Sequence, residues 1–100
     1  MPQDYEIRIT HRAEKDIKKL PPKLRSKLHD ILTAVLSKNP FDGKKLIGDL
    51  AGSYSYRLTY KDRIVYSIDT KNRMVYIERA ATHYGDWKIL NIRTVLIQIL

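Results

Sequence analysis

Residues 53–84 read SYSYRLTYKDRIVYSIDTKNRMVYIERAATHY. Three short runs rich in Tyr, Ile and Val alternate apolar and polar side chains, separated by the small polar segments YKD (60–62) and TKN (70–72). A period of two bounded by turn-forming residues belongs to strands joined by tight hairpins, so a three-stranded antiparallel meander is expected. Three-residue loops, with Asn72 in the left-handed conformation they require, set the register. Thr59 then lies opposite Arg63, Asp69 opposite Arg73, Arg57 opposite Val65, Val65 opposite Ile77, and Arg63 opposite Arg79. One face carries Ser55, Arg57, Thr59, Arg63, Val65, Ser67, Val75, Ile77 and Arg79. The other carries Tyr56, Leu58, Tyr60, Ile64, Tyr66, Ile68, Met74, Tyr76, Glu78 and Ala80, and is the one to pack on the rest of the chain.

Arg57, Arg63 and Arg79 thus gather on one face. Like charges opposite each other across strands cost from a few tenths to about 1 kcal/mol, so such a cluster calls for an anion. Arginine suits that task because its planar fork grips phosphate oxygens in pairs and stays charged. A slip of one residue, with a two-residue turn at Lys61 and Asp62, would instead put Arg57 and Arg63 on opposite faces. The arginines would then be ordinary edge residues.

Ahead of the meander, residues 5–10 alternate, with Tyr5, Ile7 and Ile9 on one side, which predicts a half-buried strand. Thr10 suits the N-cap of a helix over 11–19 with Ala13, Ile17 and Leu20 inward. Pro21 and Pro22 stop that helix and start the next. From 22 to about 37, Leu24, Leu28, Ile31, Leu32, Val35 and Leu36 form one helical stripe, ended by Asn39 and Pro40. The fold class expected is therefore α+β: an N-terminal strand and a two-helix hairpin packed on an antiparallel sheet made of the three-strand meander plus strand 1. Arg12, Lys15, Lys18, Lys19, Lys23, Arg25 and Lys27 face outward, as a solvated surface or a phosphate track. Residues 40–52 read as a loop with Lys44 and Lys45 at its centre.

One hundred residues fit one compact domain. With no cysteine, disulfides, a cysteine nucleophile and thiolate zinc sites are excluded, and the three histidines show no ligand spacing. No cofactor or metal is expected. No stretch has the pattern of a secretory signal or is long enough to span a bilayer, so a cytoplasmic location and no membrane contact are expected. The net charge of +8 favours a polyanion or an acidic protein as partner, or simply solubility. A histidine can exchange protons near neutral pH, as acid–base work requires, which makes His83 a candidate, and Tyr84 could stack on a base or meet a phosphate.

With these segments in place, the chain resembles the RelE/ParE superfamily of toxins from toxin–antitoxin pairs, from Tyr5 to about Trp87. The segments GDLAGSYSYRL, DRIVYSID and RAATHYGD carry the likeness. It implies a RelE-like microbial ribonuclease architecture in residues 1–87, with residues 88–100 as an apolar C-terminal extension. It implies a metal-independent, ribosome-dependent mRNA endonuclease in which the 2′-hydroxyl attacks, leaving a 2′,3′-cyclic phosphate and a 5′-hydroxyl. Arg63 stands where the nuclease branches keep an arginine for the scissile phosphate. Arg57 stands at a basic catalytic position of the RelE branch, and His83 with Tyr84 matches the closing His-Tyr of the YoeB branch. Arg79, Lys44, Lys45 and Lys61 are expected to bind RNA. The glutamate that the YoeB branch keeps before its second strand is replaced here by Lys44 and Lys45, and no general base is assigned. The implied partners are an acidic antitoxin, mRNA and the ribosome, with a homodimer or a hetero-oligomer with the antitoxin compatible. The alternative is a ParE-like gyrase inhibitor, or a degenerate toxin that only binds its antitoxin. The tail, rich in β-branched residues, is expected to be covered by its own domain or by another chain.

Overall fold

A computed structural model of the protein describes residues 4–46 and 52–83, the last three by their backbone alone. Strand β1 (Glu6–Ile9) leads into helix α1 (His11–Lys18) and helix α2 (Pro22–Asp30), which continues as a π-helical segment (Ile31–Leu36). A 3-10 turn (Pro40–Asp42) and a two-residue strand β2 (Lys44–Lys45) precede the meander of β3 (Ser53–Arg57), β4 (Asp62–Asp69) and β5 (Met74–His83). The sheet order is β1-β5-β4-β3-β2, with β1 parallel to β5 and the other pairs antiparallel. The expected α+β architecture is present, with two corrections. Strand β1 joins the sheet parallel to β5 rather than antiparallel, because it pairs with the strand that ends the meander, and β2 is added at an edge where the sequence has a loop pattern. The apolar tail lies outside the described residues.

The helices form where capping and proline predict. The Thr10 hydroxyl accepts from the Ala13 N–H, satisfying a donor that the first turn of α1 leaves unpaired. Thr10 also fastens α1 to the sheet, its N–H donating to Ile77 O and its hydroxyl to Glu78 O. Pro22 opens α2 at its first turn. In the π-helical segment the Ser37 N–H reaches back five residues to Leu32 O, and Ile31, Leu32 and Leu36 all stay buried. They join Ala13, Leu20 and Leu28 in one core with Leu58, Ile64, Tyr66, Val75, Ile77 and Ala80 of the sheet layer. Each fully buried Leu or Ile here contributes about 1.5–3 kcal/mol. Tyr5 and Ile7 pack against this core, whereas Ile9, expected beside them, is 45% exposed.

The strand register differs from expectation at both hairpins. Between β3 and β4, Ser53 pairs with Ser67, Ser55 with Val65, and Arg57 with Arg63. That is two positions from the expected alignment, so every side chain keeps its face. The loop is longer, and Thr59 lies in the turn rather than opposite Arg63. Between β4 and β5, Tyr66 pairs with Ile77, Ser67 with Tyr76, Ile68 with Val75 and Asp69 with Met74. This offset is one residue, and it exchanges the faces of β5. Val75 and Ile77 are wholly buried, while Glu78 accepts from Ser67 Oγ at 3.1 Å on the side away from the helices.

The cause lies in the turn. Asp69 binds Asn72 twice, accepting from its N–H at 3.1 Å and from its amide Nδ2 at 2.8 Å. The left-handed position then falls on Arg73 (φ 53°), not on Asn72, and the loop has four residues, 70–73. Further along, register shifts between Tyr66 and Val65 and between Val65 and Arg63 mark bulges. Beyond them Val65 pairs with Arg79, Arg63 with Thr82 and Asp62 with His83.

Candidate functional site

The β3–β4 turn sets the geometry of the site. The Thr59 hydroxyl donates to Asp62 Oδ2 at 3.1 Å and accepts from the N–H groups of Lys61 and Asp62 at 3.2 and 3.0 Å. The N–H groups of Leu58 and Thr59 both donate to Asp62 O. A threonine that satisfies this many turn amides holds the two strand ends in one conformation. Arg57 and Arg63 therefore lie directly opposite each other on the last paired positions of β3 and β4. Arg63 Nη1 lies 3.4 Å from Oγ of the buried Ser55.

Next to this pair, β2 covers only Tyr54 and Ser55 of β3, leaving the edge beyond them open among the described residues. A cleft of about 530 Å³ occupies that place. Arg57 and Arg63 line it together with Lys44 of β2 and Lys27 of α2. Among the described lining residues Asp42 is the one carboxylate, beside the four cations. The planar forks of two neighbouring guanidiniums suit the oxygens of a phosphate. Tyr56, Thr59 and Tyr60 complete the polar and aromatic lining.

The wall carrying Asp42 and Lys44 is fixed from beneath. The buried Tyr66 hydroxyl donates to Pro40 O at 2.7 Å. Burial pushes the Tyr66 phenol up, so it remains a neutral donor. Gly43 is needed for this approach, because a Cβ there would collide with the Tyr66 hydroxyl and lie 2.7 Å from Ser55 O. Asn39 Oδ1 caps the same turn by accepting from the Phe41 N–H.

The three-arginine cluster is corrected to two. Arg79 turns to α1, where its Nε donates to Asp16 Oδ2 at 2.8 Å and its Nη2 to Asp16 Oδ1 at 3.1 Å. The Ala80 N–H shares that carboxylate at 3.0 Å. Hydrogen bonding to Asp16 raises the guanidinium's affinity for its proton still further. The physical reason is the one-residue offset set by the four-residue turn, which exchanges the faces of β5, together with the bulge at Val65, which takes Arg79 out of register with Arg63.

Of the other expected site residues, Lys44 lines the cleft, while Lys45 pairs with Tyr54 and Lys61 sits exposed in the turn. His83 ends β5 with its backbone opposite Asp62, beside Arg63's partner Thr82. Tyr84 lies outside the described residues. Lys27 and Asp42 are cleft residues that the sequence did not single out. In the sequence Lys27 is one member of a basic helix face, and the segment that forms the 3-10 turn with Asp42 has the composition of a loop. Among the described residues no cluster of His, Cys, Asp or Glu could hold a metal ion, and no helix is long and apolar enough to cross a membrane.

Solved structures share this arrangement of two helices on a five-stranded sheet. The chain superimposes with a TM-score of 0.75 at 33% identity on a chain of the toxin–antitoxin complex RelBE2 from Mycobacterium tuberculosis, covering 86% of this chain and 98% of that one. It superimposes with a TM-score of 0.74 at 22% identity on a free-state variant of the Escherichia coli toxin RelE, covering 97% and 99%. Together with the curated relatives given below, this likeness makes the protein a small toxin of a toxin–antitoxin pair, of the RelE/YoeB type. Residues 7–88 match the ParE-like toxins of type II bacterial toxin–antitoxin systems, and the chain belongs to that family. Toxin RelG of M. tuberculosis is 38% identical over 77 residues, covering 75% of this chain and 86% of that protein. Toxin RelE of the same organism is 31% identical over 86 residues, covering 85% and 88%.

Proposed function

We propose that this toxin is a metal-independent endoribonuclease that cuts mRNA on the ribosome. The observation that carries the reading is the Arg57–Arg63 pair, set face to face in a cleft with Lys27, Lys44 and one carboxylate. RNA supplies its own nucleophile. The 2′-oxygen attacks the adjacent phosphorus, the bond from phosphorus to the 5′-oxygen breaks, and a cyclic phosphate and a 5′-hydroxyl remain. Negative charge builds on the phosphoryl oxygens during attack, and preorganised guanidiniums stabilise it more than the ground state. Arg63 and Arg57 take that role. The 2′-hydroxyl proton must leave, and Asp42 is the carboxylate that the lining offers for it. His83 protonates the departing 5′-oxygen, and Tyr84 orients the base or phosphate. Lys44, with Lys45 and Lys61 at its margins, holds the flanking backbone, and the exposed basic face of the helices docks on ribosomal RNA.

The partner is an acidic antitoxin that covers the basic surface. Support comes from the net charge of +8 and from the solved complexes of the similar proteins, RelBE2 and the Staphylococcus aureus YoeB-YefM pair. The protein acts in the cytoplasm, where translated mRNA is found.

Cleavage of mRNA on programmed ribosomes tests the reading, with the product ends identified chemically. Arg63→Ala and His83→Ala are each expected to lower the rate by about 100-fold or more, the scale of losing one group that stabilises the transition state. Variants as active as the parent would remove both residues from the site. A gyrase supercoiling assay run alongside separates the nuclease from a topoisomerase inhibitor, which would block supercoiling and leave mRNA whole.

A further inference from the structure

Tyr60 is 90% exposed, the most exposed large apolar side chain among those described, yet it stands on the rim of the cationic cleft. It lies three residues from Arg57 and three from Arg63, at the tip of the turn that sets them face to face. That turn is held by the Thr59 hydroxyl and by two amides on Asp62 O, so the backbone beneath the ring is fixed before any ligand arrives. Among the described residues no ring stacks on Tyr60, in contrast to Tyr54, which stacks on Tyr66 at 5.7 Å. At 90% exposure the ring presents an aromatic face to the cleft rim on a fixed backbone.

A phosphate held between Arg57 and Arg63 brings the bases of the two nucleotides it joins within reach of a side chain at that rim. Single-stranded RNA is bound by such a combination, a cationic track with an aromatic platform on which an unstacked base lies. We propose that Tyr60 stacks on a base flanking the scissile phosphate and holds the strand in the cleft. This inference rests on the nuclease reading and adds to it a base-binding subsite on the β3–β4 turn. Stacking tolerates every base and favours purines through their larger face, so the subsite gives a graded preference at one position rather than a strict code. Tyr60 is a binding residue here and takes no part in proton transfer.

The test uses the full chain on ribosomes programmed with a defined mRNA, comparing the parent with Tyr60→Ala, Tyr60→Trp and Arg63→Ala. Tyr60→Ala is expected to raise KM by about 5- to 150-fold, the range for one stacked base, with kcat within twofold. Tyr60→Trp recovers most of the loss. An mRNA lacking the base at the stacked position, scanned across the nucleotides flanking the cut, weakens the parent by a similar factor and Tyr60→Ala hardly at all. Because Tyr60 packs on little, its melting temperature should match the parent's. If Tyr60→Ala cleaves like the parent while Arg63→Ala is inactive, the stacking role is overturned and the nuclease stands. If Tyr60→Ala lowers kcat alone, or weakens only antitoxin binding, stacking is likewise overturned. If the parent and Arg63→Ala are equally inactive, the nuclease reading fails and the subsite falls with it.

Discussion

Arg79→Ala measures how much of the fold rests on one contact between α1 and β5. In the native protein two guanidinium nitrogens and the Ala80 N–H converge on the Asp16 carboxylate, at 2.8, 3.1 and 3.0 Å. The Arg79 and Asp16 side chains retain 28% and 17% of their exposure. A hydrogen bond to a charged partner contributes about 1.5–3 kcal/mol, so two would suggest about 3–6 kcal/mol. Water still reaches both groups, and fully exposed pairs contribute about 1 kcal/mol or less. Partial exposure therefore brings the expected loss down to about 2 kcal/mol. For a domain of this size that lowers the melting temperature by about 8–16 °C. Asp16→Asn keeps an acceptor for the Ala80 N–H and should lose about half as much. Urea unfolding followed by circular dichroism reads both, as a lower midpoint at unchanged slope. A double-mutant cycle with Asp16→Ala should return a coupling of about 1–2 kcal/mol. An Arg79→Ala midpoint within about 0.5 kcal/mol of the parent would refute the ion pair as a structural tie.

Gly43→Ala and Tyr66→Phe probe the wall of the cleft from two sides. The added methyl collides with the Tyr66 hydroxyl and lies against Ser55 O, and should cost about 1–3 kcal/mol in urea unfolding. Tyr66→Phe leaves Pro40 O without its donor, for a loss of about 1–2 kcal/mol. The phenol is raised in the folded state, so its stabilising contribution is complete below the unfolded value of about 10 and declines as pH rises beyond it. Tyr66→Phe should accordingly flatten the alkaline fall in stability, measured as urea midpoints from pH 9 upward. Asp69 behaves in the opposite sense: bonding to the Asn72 side chain holds its carboxyl below the usual range. Its contribution is present above the unfolded value of about 4 and is lost as pH falls through the lower folded value. Asp69→Ala should remove that acid-side slope, and an unchanged slope would refute the role of the turn.

Much of the fold could be read from local rules. Thr10, the Pro21–Pro22 break and the stripe from Leu24 to Leu36 act within one or two turns of helix, so the sequence states them directly. The parallel pairing of β1 with β5 could not be read that way, because it joins Glu6 to Met74 across most of the chain. The same limit hid Lys27, Asp42 and Lys44 as one site. They come from α2, the 3-10 turn and β2, and only packing brings them together.

The fate of the three arginines shows what kind of register error matters. The β3–β4 alignment was wrong by two residues, and two is the side-chain period of a strand, so Arg57 and Arg63 still share a face. The β4–β5 alignment was wrong by one, which exchanged the faces of β5 and, with the bulge at Val65, sent Arg79 to Asp16. The sequence held a cue against that second alignment. That alignment puts Glu78 on the buried face and Val75 and Ile77 on the polar one, against the cost of burying a carboxylate and the gain from burying branched aliphatics. What obscured the cue was Arg73, since a left-handed arginine is uncommon and Asn72 beside it is the residue usually found there. The exception is stabilised locally. The Arg73 guanidinium lies 4.4 Å from the centroid of the Tyr5 ring, and its carbonyl accepts from the Glu6 N–H. Both contacts come from the segment that begins β1, so the turn that sets the register of β5 is fixed by the strand that pairs with β5.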